Sequence, residues 1–92
     1  MHGGNAGWHR KVWEAKEVEN GVEFRYTSKD GDDKYPGEVA AKVVYKLVGN
    51  ELSMSMSAKM GDQKMTPIGL TNHSYFNLAG HKAEEGILKN VL

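Results

Sequence analysis

Alternation of apolar and polar residues constrains the fold of this 92-residue chain more than any other sequence feature. Successive side chains of a β-strand point to opposite faces, so alternation indicates a strand with one buried face. The clearest run is 51–60, in which apolar residues alternate with serine and lysine. Two further alternating runs cover 38–48 and 22–28. All three runs predict strands, and 51–60 is half-buried; the second face of 38–48 is mixed, which is also compatible with cover on both sides.

Turn residues separate these runs and predict a meander. Asn20-Gly21 and Gly49-Asn50 each predict a two-residue hairpin, because a type I′ turn needs positive φ at both central positions. No segment longer than one turn predicts a helix. The predicted strands are 11–18, 22–28, 38–48, 51–60, 64–72 and 86–92. We therefore expect an all-β chain in which residues 1–92 form a single domain built on an antiparallel meander.

This meander has an apolar face that nothing else in the chain covers. A single open sheet exposes such a face and leaves two unpaired edges. We therefore expect the chain to be one layer of a larger structure. Its second layer is either more of the same polypeptide or another subunit. The uncovered face also predicts self-association of the isolated chain.

Composition excludes several classes of partner and site. Twelve Lys and Arg balance twelve Asp and Glu, giving a formal net charge of zero, which argues against nucleic-acid or membrane partners because both attract clustered positive charge. The longest apolar stretch, 39–41, is too short for a transmembrane helix. Cysteine is absent, which excludes disulfides and thiolate metal sites. No secretory signal follows Met1, so we expect a cytoplasmic protein.

Four histidines are the main candidates for chemistry: His2, His9, His73 and His81. Their spacings match no metal-binding pattern, so we predict no metal site. We expect His9 and His81 to be solvated, because charged and turn-forming residues surround them. The methionines of 51–60 are typical of a core face rather than of a soft-metal site, since thioethers commonly fill cores.

A polar and aromatic segment, 71–78, is the strongest candidate for a binding site. It contains hydroxyl, amide, imidazole and aromatic groups, and it follows Pro67, where a strand would end or lie at an edge. A sugar site needs such hydrogen-bonding groups together with an aromatic wall. A polar hairpin whose Asn and Ser close turns explains the same composition. The residues alone favour the hairpin.

A series of short motifs, taken in order along the chain, indicates the protein family more specifically than composition or periodicity does. They are His2-Gly3-Gly4, Gly7-Trp8, Val12-Trp13, Gly21-Val22-Glu23-Phe24, Ser28-Lys29-Asp30-Gly31, Tyr35-Pro36-Gly37 and the run from Leu70 to Leu78. In this order they resemble the aldose 1-epimerase (galactose mutarotase) family from residue 2 to about residue 80. The resemblance implies that the chain is part of a galactose mutarotase-like β-sandwich, with sugar bound in an open cleft on the sheet.

The resemblance also implies a reaction and roles for particular residues. Family members interconvert the α and β anomers of free hexoses such as galactose and glucose, without a metal or organic cofactor. A base removes the anomeric hydroxyl proton while an acid protonates the ring oxygen. By resemblance, His73 is the general acid and His2 is a second catalytic residue that faces the region of the ring oxygen. Both histidines, Ser74 and Tyr75 are implied to bind the sugar. An imidazole suits the acid because it titrates near neutral pH.

Other parts of the family pattern have no counterpart in this sequence. A sugar-binding Arg would precede His2, and a catalytic Glu base and a sugar-binding Asp would follow Leu92. We therefore expect residues 1–92 to correspond to an N-terminal or internal portion of a longer member that carries the acid half of the active site, with impaired turnover. The alternatives are a non-catalytic sugar-binding relative and a truncated structural remnant.

Overall fold

The computed structural model describes residues 3–61, 64–84 and 86–91. It contains the strands β1 (Glu14–Val18), β2 (Gly21–Ser28), β3 (Val39–Val48) and β4 (Glu51–Met60), with short 3₁₀ turns at Trp8–Arg10 and Asp32–Lys34. The strands form one antiparallel sheet in the order β1-β2-β3-β4, so strands consecutive in the chain are neighbours in the sheet. The prediction of an all-β antiparallel meander is confirmed.

Two predicted strands, 64–72 and 86–92, are wrong across the residues that the structure describes. Both segments run as coil and turns. A strand needs a neighbour that satisfies its backbone donors and acceptors, and neither segment joins the four-stranded sheet. Pro67 lacks an N–H to donate, and Gly86 has a φ of 64°, outside the range of extended backbone.

In the described part of the chain no helix is long and apolar enough to cross a bilayer.

The hairpin turns differ from the predicted type I′ geometry. The first turn is centred on residues 19–20 rather than on Asn20 and Gly21, because Gly21 begins β2 and pairs with the last residue of β1. Only Asn20 of that turn has a positive φ, at 60°. The second turn is centred on Gly49 and its successor, as predicted, but positive φ is confined to Gly49, at 58°. Each turn therefore has one left-handed residue, where type I′ requires two.

A close approach of β3, rather than turn geometry, requires glycine at position 21. A Cβ built on Gly21 would overlap the carbonyl oxygen of Tyr45 and lie 2.9 Å from the Cα of Lys46. Lys46 is the registered partner of Gly21 in β3. A glycine inside a strand commonly marks such an approach of two backbones.

The register gives the sheet one apolar face and one polar face, because directly paired residues of antiparallel strands share a face. The apolar face carries Val22, Phe24, Tyr26, Val39, Ala41, Val43, Tyr45, Leu47, Leu52, Met54, Met56, Ala58 and Met60. The other face is mainly polar and carries Glu14, Lys16, Glu23, Arg25, Lys42, Lys46, Ser53, Ser55, Ser57 and Lys59, interspersed with Val18, Ala40, Val44 and Val48. The alternation in the three sequence runs is thus expressed as two chemically distinct surfaces.

Little of the apolar face is fully buried. Among the residues that the structure describes, the buried apolar side chains are Val39 and Ala41, which are 3% and 2% exposed. Leu47, on the same face, is 61% exposed. The Cα radius of gyration is 16.6 Å, whereas a compact domain of this length would have about 12 Å. The described residues therefore form an open layer.

Candidate functional site

Three of the predicted site residues, His73, Ser74 and Tyr75, lie together in an exposed segment that follows β4. The imidazole of His73 and the ring of Tyr75 have centroids 5.3 Å apart and planes inclined at 51°. The Tyr75 residue is 80% exposed. The segment therefore presents an exposed imidazole beside an accessible aromatic ring, and both are groups that a sugar site can use.

The side chain of Asn72 connects this segment to the sheet. Its Nδ2 donates a hydrogen bond of 3.2 Å to the hydroxyl of Tyr45 in β3. Its Oδ1 accepts the backbone amide of Ser74 at 3.0 Å. The second bond closes an Asx turn around His73. Since Tyr45 belongs to the apolar face of the sheet, we name residues 72–74 the His73 turn and place it over that face.

The competing interpretation of 71–78 as a polar hairpin is correct about the turns and wrong about the strands. Asn72 closes the His73 turn, and Asn77 closes another, in which its Nδ2 donates to the carbonyl of Gly80 at 3.0 Å. The amide of Gly80 donates in return to the carbonyl of Asn77 at 3.2 Å. Within the described residues, however, no strands flank these turns. Polar side chains therefore order this segment as successive turns.

An acidic turn, residues 30–33, holds the glycine-rich loop that leads into the first 3₁₀ turn. The carboxylate of Asp33 accepts the backbone amides of Ala6 at 2.9 Å and Gly7 at 3.1 Å. The loop also packs tightly, since a Cβ on Gly4 would lie 2.6 Å from the Cβ of Asp33. The loop containing residues 4–7 is thus fixed to the link between β2 and β3.

Asp32 ties the same acidic turn to β2. Its carboxylate accepts hydrogen bonds from the hydroxyl of Tyr26 at 2.6 Å, from Nζ of Lys11 at 3.2 Å and from the hydroxyl of Ser28 at 3.3 Å. The hydrogen bond from Tyr26 is the largest cause that lowers the pKa of Asp32. Burial, and next the bond to Asp32, raises the pKa of Tyr26 to about 12.

Asp30 completes the anchoring by the acidic turn. Its Oδ1 accepts the amide of Gly37 at 2.6 Å, and its Oδ2 accepts a bond of 2.8 Å from Nζ of Lys64. The bond from Lys64 is the largest cause that lowers the pKa of Asp30. Lys64 lies in the segment after β4, so the acidic turn contacts both the loop that precedes the sheet and the segment that follows it. No pattern in the sequence indicates that these three aspartates anchor loops, because their partners are distant in the chain.

An aromatic cluster links the start of the chain to the sheet. Trp8 packs edge-on against Trp13 and Tyr26, with ring centroids 6.3 and 5.9 Å apart, and Trp13 lies 5.5 Å from Tyr26. Nε1 of Trp13 also donates to the carbonyl of Trp8 at 3.0 Å. Both tryptophans therefore pack against neighbouring rings and secure the segment that follows the glycine-rich loop.

The remaining histidines are distributed as follows. His2, the second predicted catalytic residue, lies outside the described residues, so its role stays a prediction. His9 and His81 are exposed, as expected for solvated side chains. Within 3–61, 64–84 and 86–91, no group of three or more His, Asp or Glu side chains is arranged to hold a metal ion.

A shallow groove of about 780 Å³ lies away from the His73 turn. Its lining comes mainly from the polar face of the sheet and includes Glu14, Arg25, Lys42 and Lys59. The His73 turn lies over the opposite, apolar face. The predicted sugar-binding residues are therefore displayed on an open surface that is separate from this charged groove.

Comparisons with known proteins identify a family and relatives for most of this chain. A family model described as aldose 1-epimerase matches residues 1–92. The galactose mutarotases of Bos taurus and Homo sapiens are 46% and 45% identical over 80 residues, covering 87% of this chain and 23% of each relative. The aldose 1-epimerase of Escherichia coli (strain K12) is 35% identical over 86 residues, covering 91% of this chain and 24% of that protein. The chain thus spans about a quarter of the length of these relatives.

Proposed function

This chain belongs to the aldose 1-epimerase family, and we propose that it contributes the acid half of an active site that interconverts the α and β anomers of free hexoses such as galactose and glucose. The observation that carries the proposal is the His73 turn, where an exposed imidazole adjoins an exposed aromatic ring. The names of the relatives, galactose mutarotase and aldose 1-epimerase, support the same reaction class.

In the proposed reaction, His73 donates its proton to the ring oxygen as the bond between that oxygen and the anomeric carbon breaks. A base takes the proton of the anomeric hydroxyl, so a carbonyl forms at that carbon. Rotation about the bond to the neighbouring carbon exposes the other face of the carbonyl. The ring closes as His73 takes its proton back from the attacking hydroxyl, and the base returns its proton to the carbonyl oxygen, which becomes the anomeric hydroxyl of the other anomer. A positioned acid of this kind contributes about 10²–10⁴-fold to the rate.

The neighbours of His73 supply binding rather than proton transfer. We assign to Tyr75 the apolar wall that contacts the sugar ring, and to the Ser74 hydroxyl a hydrogen bond to a sugar hydroxyl. Both residues are exposed and adjacent to the imidazole. His2 is proposed to face the ring oxygen from the glycine-rich segment, the described part of which is anchored by Asp33.

We propose that the general base is contributed from outside these 92 residues. In the acidic turn, the carboxylates of Asp30, Asp32 and Asp33 are already occupied by hydrogen bonds that hold loops. No Glu of the sequence matches the family position of the base. The isolated chain is therefore expected to bind hexose and to turn it over slowly or not at all, because loss of one partner of an acid–base pair costs orders of magnitude.

The test supplies the base from solution. Polarimetry follows freshly dissolved α-galactose with the 92-residue chain at increasing acetate concentration, since acetate is a small carboxylate base. The wild-type chain is expected to accelerate anomerisation in proportion to acetate, above the acetate background. His73→Ala should abolish that increment, and the control His81→Ala, which removes an exposed imidazole elsewhere, should retain it. An increment that survives in His73→Ala would exclude His73 as the acid.

A second candidate function is sugar binding without turnover, which the exposure of Ser74 and Tyr75 favours. Calorimetric titration with galactose separates the two functions. Saturable binding without any acetate-dependent turnover would support the non-catalytic function. Absence of both binding and turnover would overturn both functions for the isolated chain.

A further inference from the structure

We infer that Tyr45 is a positioning residue that orients the candidate acid His73 through the side chain of Asn72; this inference rests on the proposed function. The hydroxyl of Tyr45 accepts Nδ2 of Asn72 at 3.2 Å, across 27 residues of sequence. The hydroxyl lies at the tip of a side chain rooted in the sheet, whereas His73 lies in a segment without strands. The bond therefore links the His73 turn to the most regular part of the molecule.

Both the oxygen and the nitrogen of the Asn72 side-chain amide form hydrogen bonds, and the chemistry of the two partners fixes which atom bonds to which. The backbone amide of Ser74 can only donate, so it requires the Oδ1 atom, which it meets at 3.0 Å. The NH₂ group then remains to donate to Tyr45. The side chain of Asn72 thereby bridges across His73 to the amide of Ser74. The peptide groups on either side of the imidazole are held relative to β3.

Tyr45 is itself held in place by packing. Its ring meets Phe24 of β2 edge-on, with centroids 6.1 Å apart and planes inclined at 82°. Its backbone belongs to β3, which pairs with strands on both sides, and its carbonyl oxygen lies against Gly21. The Tyr45 hydroxyl is therefore held in one position relative to the sheet. A residue that orients an acid must itself be held in this way.

This arrangement separates positioning from folding. Tyr45→Phe removes the hydroxyl and leaves the ring that packs on Phe24. We therefore expect the sheet to keep its urea midpoint within error, while the backbone amide of Ser74 exchanges with solvent faster. Galactose affinity should fall by up to about tenfold, because binding must then order a His73 turn that the lost hydrogen bond had held, and one hydrogen bond contributes on that scale.

A substitution cycle tests the route through Asn72. In Asn72→Asp, the carboxylate can accept both the Ser74 amide and the Tyr45 hydroxyl, so galactose affinity should stay near the wild-type value. Asn72→Ala should lose affinity as Tyr45→Phe does. In the Asn72→Ala background, Tyr45→Phe should have no further effect, because coupled residues are not additive.

The experiment uses the full 92-residue chain, with amide exchange and the His73 imidazole signals read by NMR and galactose affinity by calorimetry. Tyr26→Phe is the matched control, because it removes a hydrogen-bonded hydroxyl from the same face and leaves the His73 turn untouched. Unchanged Ser74 exchange and unchanged imidazole signals in Tyr45→Phe would overturn the inference. If wild-type protein binds no galactose, the proposed function fails, and the NMR signals still decide whether Tyr45 orients His73.

Discussion

The carboxylate of Asp33 and the backbone amide of Gly7 lie 3.1 Å apart although 26 residues separate them in the sequence. Asp33 and its successor Lys34 both have left-handed backbone, with φ of 51° and 68°, a conformation that costs free energy in residues other than glycine. The hydrogen bonds from the glycine-rich loop offset that cost. The acidic turn and the loop therefore stabilise each other.

Removal of the Asp33 carboxylate should release the glycine-rich loop. In Asp33→Ala the amides of Ala6 and Gly7 lose their acceptor, and we expect a loss of about 1–3 kcal/mol in the free energy of unfolding, typical of bonds to charged groups. Asp33→Asn keeps one acceptor oxygen and should lose less. Urea unfolding and amide exchange provide the measurements. Wild-type exchange rates at both amides in Asp33→Ala would contradict the expected role.

Substitution of Gly21 should be costly even though alanine is a small residue. A Cβ at this position would overlap the backbone of β3, so β2 and β3 would have to separate. We expect Gly21→Ala to lower the free energy of unfolding by about 1–3 kcal/mol, as overpacking does. Gly69→Ala is the control, since a Cβ there meets no atom within 4 Å. Equal urea midpoints for the two variants would refute the steric explanation.

Alkaline pH should weaken the fold through Tyr26. Its pKa is raised to about 12 in the folded protein, against about 10 for an unperturbed tyrosine. The folded state thus holds the phenolic proton more tightly. The resulting stability is complete below pH 10 and is lost as pH rises from 10 towards 12. Urea midpoints at several pH values should fall more steeply for wild-type protein than for Tyr26→Phe; parallel curves would exclude this contribution.

The same hydrogen bond also makes the stability depend on pH in the acidic range, where protonation of Asp32 removes its effect. The pKa of Asp32 is lowered in the folded protein, chiefly by the hydroxyl of Tyr26. Its stabilising effect is therefore present above the unperturbed value of about 3.9 and is lost as pH falls below it. NMR titration of the Asp32 carboxyl carbon should show a higher pKa in Tyr26→Phe. An unchanged midpoint would mean that Tyr26 does not set the affinity of Asp32 for its proton.

The exposed part of the apolar face should drive self-association of the isolated chain. Leu47 and Leu52 are paired across the β3–β4 hairpin and are 61% and 48% exposed. Sedimentation velocity should show oligomers that dissociate on dilution. Leu52→Lys should shift the population towards monomer, because it places a charge on that face, whereas Ser53→Lys on the polar face should not. A wild-type chain that stays monomeric at all concentrations would contradict association through this face.

Local patterns were sufficient to predict three of the four strands closely and the faces that they share. The run 51–60, for example, is β4 with the bounds that alternation indicates. The strand predicted at 64–72 is wrong because alternation alone cannot say whether a neighbouring strand is available to pair with it. The pair Asn20-Gly21 likewise predicts a turn, because a local pattern cannot show how closely a neighbouring strand approaches. It is the approach of β3 that requires glycine at position 21.

The sequence by itself determined the all-β meander, its apolar and polar faces and the motif that contains His73, because strand periodicity and motifs are encoded by residues close in the chain. Only the tertiary structure decided that Asp33 holds the glycine-rich loop and that Asn72 is bonded to Tyr45. Those partners are 26 to 27 residues apart, and no local pattern specifies which distant donor meets which acceptor until the sheet register brings them together.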